Sequence, residues 1–359
     1  MAKEMPLVSV IVPMYDCEKY IETMLDSVIV QTLENFELII VDDCSTDNSA
    51  AIVKNHLSEF DGRLKIVRMK ENSGGPSLPR NKGLEISRGK YVFFMDNDDA
   101  ITHSALEDLY NIAEKYEADV VICKQYMESI GEGKDFLKNI LPMGDLYDTN
   151  TNLLPESIAE RLPYWLENFF LVYPWLKFIK RDFLIENNIK FLPVVQEDSI
   201  WTFEIICLAK KIILAPNICY IHRQREDSLT STAIKNTLTV KSMRRKMDRL
   251  VNGFKHIDNF MGKIPFFRNN LEKRYAVLDH IAMQNLSWIY RVHGNYPVHT
   301  IYINLKEAFK SEMGDNDVLI SYLTTNTISM IKLLKTMRQM LDEAKGVKSD
   351  SQSGDEDVF

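Results

Sequence analysis

Five short apolar runs in the first 125 residues stop at turns, and aspartates crowd the places where they stop. Residues 7–12 form a β-branched run ended by Pro13, as a strand buried on both faces would be. Tyr20, Ile21, Met24, Leu25 and Val28 then recur with the spacing of one helix face. A second apolar run, 36–41, ends in Asp42-Asp43, and 47–60 reads as a helix with Ser45 or Thr46 as its cap. Residues 64–69 read as a third strand and 80–87 as a short helix closed by Gly89. The fourth strand, 91–95, runs directly into Asp96-Asn97-Asp98-Asp99. A helix over 104–116 and a strand over 119–123 complete the series. Strands and helices alternating at these lengths specify an α/β fold, a mostly parallel Rossmann-like sheet flanked by helices. Such sheets bind ligands beyond the carboxyl ends of their strands. Here those ends carry Asp16, Asp42, Asp43, Asp96, Asp98 and Asp99.

The rest of the chain changes character. Residues 131–163 are polar and punctuated by glycine, 165–183 are rich in aromatics, 199–210 look helical and 211–221 return to strand character. Amphipathic stretches at 239–254, 270–290 and 329–344 specify a mainly helical C-terminal appendage. The expected division is a nucleotide-binding and catalytic domain over 1–227, a helical domain over 228–345, and a disordered acidic tail over 346–359. A net charge of −8 argues against a nucleic-acid binder, which needs a basic surface against phosphates. Five well-separated cysteines without a C-x-x-C pair fit neither a zinc site nor a disulfide framework. A reducing cytoplasm is the expected home. No run approaches the roughly 20 apolar residues of a membrane span. The basic segment 241–249 leaves two readings open. One is a solvated helix face; the other is a contact with the inner face of a membrane, an acidic partner or a second copy of the chain.

Clustered carboxylates repel one another unless a cation or a donor-rich ligand neutralises them. Alternate residues leaving a strand can turn toward one point, so Asp96 and Asp98 can share a divalent ion. Their hard oxygens suit Mg²⁺ or Mn²⁺, which keep waters and bridge to phosphates. The same Asp-Asn-Asp-Asp run is also good turn and cap chemistry. Asp43 can accept the imide proton of a uracil ring, whereas Asp42 is as easily an Asx turn capping the next helix. Tyr15 offers a ring for packing a base and Asp16 another acceptor.

Taken together, several blocks resemble the large family-two inverting glycosyltransferases. They are the run 8–16, Gln31-Thr32, the run 41–47, Asn72-Ser73-Gly74-Gly75, the run 79–84 and the run 94–99. The likeness is dense over residues 6–125 and thinner to about 230. The resemblance implies a GT-A fold that binds a nucleotide-diphosphate sugar, most simply a UDP-sugar. It implies that Pro13, Tyr15, Asp16 and Asp43 line the nucleoside pocket, and that Arg80 and Asn97 lie near the nucleotide. It makes Asp96 and Asp98 the Asp-x-Asp pair for Mn²⁺ or Mg²⁺, with Asp98 the direct ligand. Glu197-Asp198, about a hundred residues further on, matches the family's Glu-Asp pair. Asp198 is thereby assigned as the base, with Glu197 orienting it or contacting a glycan or lipid-linked acceptor. Capping of the helix at Ser199 is the competing explanation for both. Asp16 and Cys44 stand where the family often has Asn and Gly, and Leu78-Pro79 replaces a commoner small pair.

His222, Arg223 and Arg225 follow the last strand, where they either close over a diphosphate or form an exposed basic turn. Trp165, Tyr173, Trp175 and Trp201 can stack on a sugar, although each is more often core. An oxidoreductase and a phosphate-loop NTPase are disfavoured, since neither glycine fingerprint is present. A sugar nucleotidyltransferase and a catalytically degenerate glycosyltransferase acting as a scaffold remain as alternatives.

Overall fold

The computed structural model describes residues 5–130, 140–144, 150–167, 172–194, 197–225 and 240–281, together with 303, 306 and 307. The first three crossovers follow the sequence pattern. They run β1 (Val8–Met14), α1 (Ile21–Ile29), β2 (Phe36–Asp42), α2 (Ser49–Asn55), β3 (Leu64–Arg68), α3 (Ser77–Ile86) and β4 (Tyr91–Phe94). Next come β5 (Ala100–Ile101), α4 (Ala105–Tyr116), β6 (Val120–Ile130), β7 (Ile140–Gly144), β8 (Asn152–Leu153) and α5 (Ile158–Leu166). A 3₁₀ turn, Pro174–Leu176, leads into β9 (Lys177–Lys180), α6 (Arg181–Glu186), α7 (Glu197–Leu208) and β10 (Ile212–Gln224). Then follow α8 (Val240–Lys263) and α9 (Pro265–Asn269).

The strands form one ten-stranded sheet in the order β3-β2-β1-β4-β9-β6-β10-β5, with β7 on β6 and β8 on β10. Strands β3, β2, β1 and β4 are mutually parallel, as are β6 and β10. Strand β9 is antiparallel to both β4 and β6, so it joins two parallel halves. Every residue of β1 and β2 is buried, which is why both read as continuous apolar runs. Helix α3 packs on β1 and β2. A Cβ on Gly83 would fall 2.3 Å from the Ile11 γ2 methyl, so glycine sets this close approach.

Several boundaries differ from the sequence pattern. Helix α2 is shorter than 47–60 and has no side-chain cap from Asn48; instead Asp47 accepts from the Ser49 N–H at 3.0 Å. Helix α3 begins three residues before Arg80, with Pro79 in its first turn, where a missing N–H costs nothing. The stretch 131–163 contains β7, β8 and the start of α5. Helix α7 is buried on all sides from Ser199 to Cys207. Its acidic first turn complements the helix dipole. Its last turn is capped by the buried Arg161 guanidinium, which donates to the carbonyls of Ile206, Ala209 and Lys210.

The chain divides into two compact units: residues 1–228 with 264–270, and 229–263 with 271–359. In the second unit α8 is helical, as are residues 271–281, and Arg274 pairs with Asp258 at 2.7 Å. The helix expected at 329–344 and the acidic tail lie outside the described residues, as do the side chains of 240–248. Among the described residues no helix is long and apolar enough to cross a membrane. All five cysteines are free thiols.

Candidate active site

The carboxyl ends of β1, β2 and β4 open side by side, because Met14 pairs with Asp42 and Ile11 with Phe94 in register. At the end of β1, Pro13 is buried and Tyr15 is 46% exposed. Asp16 adopts a left-handed φ of 40° and its carboxylate accepts from the Thr46 N–H at 2.7 Å. Asp16 therefore ties the first loop to the second. Cys44 holds φ at 67°, the conformation that explains a preference for glycine at this turn.

The two aspartates of β2 separate by role. Asp42 is 1% exposed, accepts from the Ser45 N–H at 2.8 Å and pairs with Arg68 at 2.7 Å. It closes the turn after β2, as the Asx reading expects, but does not cap the next helix, which begins only at Ser49. Asp43 accepts from the Ser73 N–H at 2.9 and 3.1 Å and from the Ser73 hydroxyl at 2.8 Å. Those bonds use three of the roughly four acceptor positions of a carboxylate. Asp43 thus anchors the Asn72–Gly75 loop over the mouth of the sheet.

Beyond β4 the acidic loop is fixed from β10. The buried Tyr220 hydroxyl accepts from the Asp96 N–H at 3.0 Å and donates to Asp99 at 2.7 Å. Asp99 also accepts from the Arg223 N–H at 2.7 Å. Burial, with Asp98 and Asp96 close by, raises the Asp99 pKa well above the usual carboxylate range. Asp99 is therefore the structural acid of the run. Asp96, Asn97 and Asp98 are half-buried and remain open to solvent. Arg225 pairs with Asp98 at 2.6 Å, and the Arg223 Nε donates to the Asp98 carbonyl at 2.8 Å. Burial raises the Asp98 pKa while Arg225 opposes it.

Arg80 joins the two ends of the site. Its guanidinium, 3% exposed, pairs with Asp96 at 2.8 Å and with Asp198 at 3.2 Å. It stands 5.1 Å over the Phe191 ring. Three neighbouring acids, Asp96, Asp198 and Glu197, outweigh desolvation and raise its pKa further. Glu197 and Asp198 form the first turn of α7. Burial and the charge of Asp198 push Glu197 up to about 8, and burial also raises Asp198. The Asp198 side chain still keeps 28% of its surface exposed, enough to meet a ligand.

Thus Asp96, Asp98, Arg80, Glu197 and Asp198 gather at one mouth, with Tyr15, Asp16 and Asp43 on the loops of the adjoining strands. Arg223 is 2% exposed and Arg225 is paired, so neither belongs to an exposed basic turn. Trp165, Trp175 and Trp201 are core, whereas Tyr173 is 39% exposed and stacks on Trp175 at 4.8 Å. Tyr220 was missed by sequence reasoning; its position on an inward face of the last strand is the only signal that could have found it. Among the described residues no three His, Cys, Asp or Glu side chains converge to hold a metal by themselves. The Asp96 and Asp98 oxygens fit an ion that draws its remaining ligands from water and phosphate, as Mg²⁺ and Mn²⁺ do.

This fold with this acidic mouth defines a sugar-transferase domain of the GT-A type. The chain belongs to glycosyl transferase family 2, whose model matches residues 9–184. It is 33% identical over 210 residues to the poly(ribitol-phosphate) β-N-acetylglucosaminyltransferase TarP of Staphylococcus aureus. That match covers 57% of this chain and 59% of TarP, so the likeness spans about three-fifths of the relative's length. The cholesterol galactosyltransferase of Borreliella burgdorferi is 30% identical, with 67% of this chain and 68% of that protein covered. The crystal structure of S. aureus TarS 1–349 in complex with UDP-GlcNAc shares the fold, with a TM-score of 0.53 at 23% identity. It covers 90% of this chain and 91% of that chain.

Proposed function

We propose that this protein is an inverting, divalent-metal-dependent glycosyltransferase. It moves a sugar from a UDP-sugar to a hydroxyl of a glycan or lipid-linked acceptor in surface polysaccharide synthesis. The observation that carries the reading is Arg80, which holds Asp96 and Asp198 on one guanidinium. In this reading Asp96 serves the donor diphosphate and Asp198 the acceptor. The relatives TarP and TarS transfer N-acetylglucosamine to poly(ribitol phosphate), and a TarS structure carries UDP-GlcNAc, which supports a UDP-sugar donor.

In this reading residues 1–227 are the catalytic domain and 228–345 a helical appendage. Tyr15 packs the nucleoside, Asp43 accepts from its base, and Pro13, Asp16 and Asn97 shape the pocket. Asp98 and Asp96 would hold Mn²⁺ or Mg²⁺, which when bound stabilises charge gathering on the leaving diphosphate. Asp96 and Asp98 are half-buried rather than sealed off, each beside one guanidinium, Arg80 or Arg225. Asp198 accepts the proton of the acceptor hydroxyl as that oxygen bonds to the anomeric carbon and the bond to the diphosphate breaks on the opposite face. A positioned base of this kind is worth about 10²–10⁴ in rate. Glu197, with its raised pKa, is suited to hold a proton near neutrality and donate a hydrogen bond to the acceptor. Five free thiols agree with a cytoplasmic setting.

The test is thermal melting with Mn²⁺ or Mg²⁺ across UDP, GDP, dTDP and CDP. A nucleotide at about 100 times its Kd adds roughly 2.7 kcal/mol to stability. A metal-dependent shift with UDP, lost in Asp98→Ala, is expected. Absence of a shift with every nucleotide would overturn the donor assignment and bring the scaffold reading forward.

A further inference from the structure

Both acids of the Asp-x-Asp pair already carry a cation. Asp96 pairs with Arg80 at 2.8 Å and Asp98 with Arg225 at 2.6 Å. The two pairs are built differently. Arg80 is buried and also holds Asp198 at 3.2 Å, so it ties the acidic loop to α7. Arg225 is the residue after β10, and its side chain keeps 19% of its surface exposed. Its guanidinium stands 5.1 Å over the Tyr20 ring, and that of Arg223 stands 5.2 Å over the same ring. Tyr20 is itself buried, immediately before α1, so this perch is a firm one. The Arg223 Nε in turn donates to the Asp98 carbonyl at 2.8 Å. Strand β10 and Tyr20 together thus set a cation against the Asp98 carboxylate.

We propose that Arg225 is a placeholder cation: it occupies Asp98 until a nucleoside diphosphate brings the ion, and so keeps the empty site from holding a bare divalent metal tightly. The proposal rests on the reading of Asp98 as the ion's direct ligand. A half-buried carboxylate in contact with a guanidinium has already spent much of the attraction it can offer a second cation. A bare ion at Asp98 must displace the Arg225 charge or sit against it, and the protein repays it with two carboxylates that are both partnered. A nucleoside diphosphate changes that balance. Its phosphate oxygens complete the shell of Mg²⁺ or Mn²⁺, and the same group is a natural partner for a guanidinium released from Asp98. Arg225 acts here by charge and contact on Asp98, whatever else it touches.

The experiment measures Mn²⁺ uptake by the full chain, read from loss of the free-ion electron paramagnetic resonance signal, with and without UDP. It compares the wild type with Arg225→Gln, which keeps a hydrogen-bond donor but removes the charge, and Arg225→Lys, which keeps the charge. Without UDP, Arg225→Gln is expected to bind Mn²⁺ about tenfold more tightly than the wild type, which corresponds to about 1.4 kcal/mol. Arg225→Lys stays near the wild type. UDP tightens Mn²⁺ binding in the wild type, and by a smaller factor in Arg225→Gln, where no arginine is left to displace. Loss of a merely structural contact does not make a metal bind more tightly, so the gain is diagnostic. Mn²⁺ affinity at or below the wild-type value in Arg225→Gln, or an equal gain in both variants, overturns the proposal. Should the glutamine variant not fold, Arg225→Met carries the same comparison. A wild type that binds Mn²⁺ equally well with and without UDP overturns the proposal with no variant at all. Uptake by none of the proteins even with UDP refutes the metal reading and the placeholder together, whereas UDP-dependent uptake with no gain in Arg225→Gln refutes the placeholder alone.

Discussion

Gly83→Ala tests how closely α3, the helix that carries Arg80, must lie on the sheet. The added methyl would sit 2.3 Å from the Ile11 γ2 carbon, and 3.4 and 3.5 Å from its Cβ and γ1 carbons. Ile11 cannot retreat. It is 0% exposed, β-branched, and sits on β1 between β2 and β4. Helix propensity favours alanine by about 1 kcal/mol, whereas overpacking costs about 1–3 kcal/mol and more when the neighbour is rigid. A net loss of about 1–2 kcal/mol is expected, a fall in Tm of roughly 2–8 °C for a unit of this size. Relief by sliding α3 outward would draw Arg80 from Asp96 and Asp198, now 2.8 and 3.2 Å away, so nucleotide-dependent stabilisation should weaken as well. Calorimetry of four proteins reads the coupling: wild type, Gly83→Ala, Ile11→Ala and the double variant. Removing the γ2 methyl of Ile11 opens the space that the new methyl needs, so Gly83→Ala should be neutral or stabilising in the Ile11→Ala background. A Gly83→Ala protein that melts at or above the wild type, or equal losses in both backgrounds, would refute the packing argument.

Tyr220→Phe removes the hydroxyl that joins the Asp96 N–H to Asp99; it should cost about 1–3 kcal/mol in denaturant melts and weaken metal-dependent UDP binding. Arg161→Ala leaves the last carbonyls of α7 without their cap in a buried place, and a loss of about 3 kcal/mol or more by chemical denaturation is expected. Glu197 supplies a pH test. Its folded pKa of about 8 exceeds the ordinary glutamate value of 4.5, so its contribution is complete below about 4.5 and is lost as pH rises through about 8. Stability should therefore fall across that window with a slope of up to about 1.4 kcal/mol per pH unit, and Glu197→Gln should remove that share of the slope. Identical slopes in the two proteins would show that Glu197 is ionised throughout.

The first half of the sheet was legible because its strands are buried on both faces and its crossovers are short. Apolar runs, turn residues and acids at strand ends all point the same way there. The Asp-x-Asp pair and Glu197-Asp198 were legible as motifs, and their convergence was implied by the family resemblance alone. No local pattern joins them, because the link is Arg80, 118 residues before Asp198. Tyr220 is hidden for the same reason, since its hydroxyl meets an N–H 124 residues earlier. Helix α7 shows no polar face because it has none: Ser199 to Cys207 are buried consecutively. The stretch 131–163 carried weak signals because β8 has only two residues and α5 contains Pro163.

Strand β9 shows where reading the carboxyl ends of strands falls short. That rule assumes parallel strands, whose ends all reach the ligand side. Strand β9 runs the other way, pairing Phe178 with Phe93 of β4 and Lys177 with Ile122 of β6. It therefore brings its beginning, not its end, to the side where Asp96 leaves β4. Lys177 is the first residue of that strand, and the turn before it presents Tyr173 and Trp175. After β9 the chain returns through α6 to the first turn of α7, which carries Glu197 and Asp198. A single reversed strand thus supplies a buried cation and an aromatic wall, and it returns the chain toward α7 and its two acids. A sheet with β9 parallel would have put Lys180 there instead of Lys177. In this molecule Lys180 pairs in register with Tyr91, at the opposite end of β4 from Asp96. The direction of β9, more than its composition, accounts for a lysine at the start of a core strand.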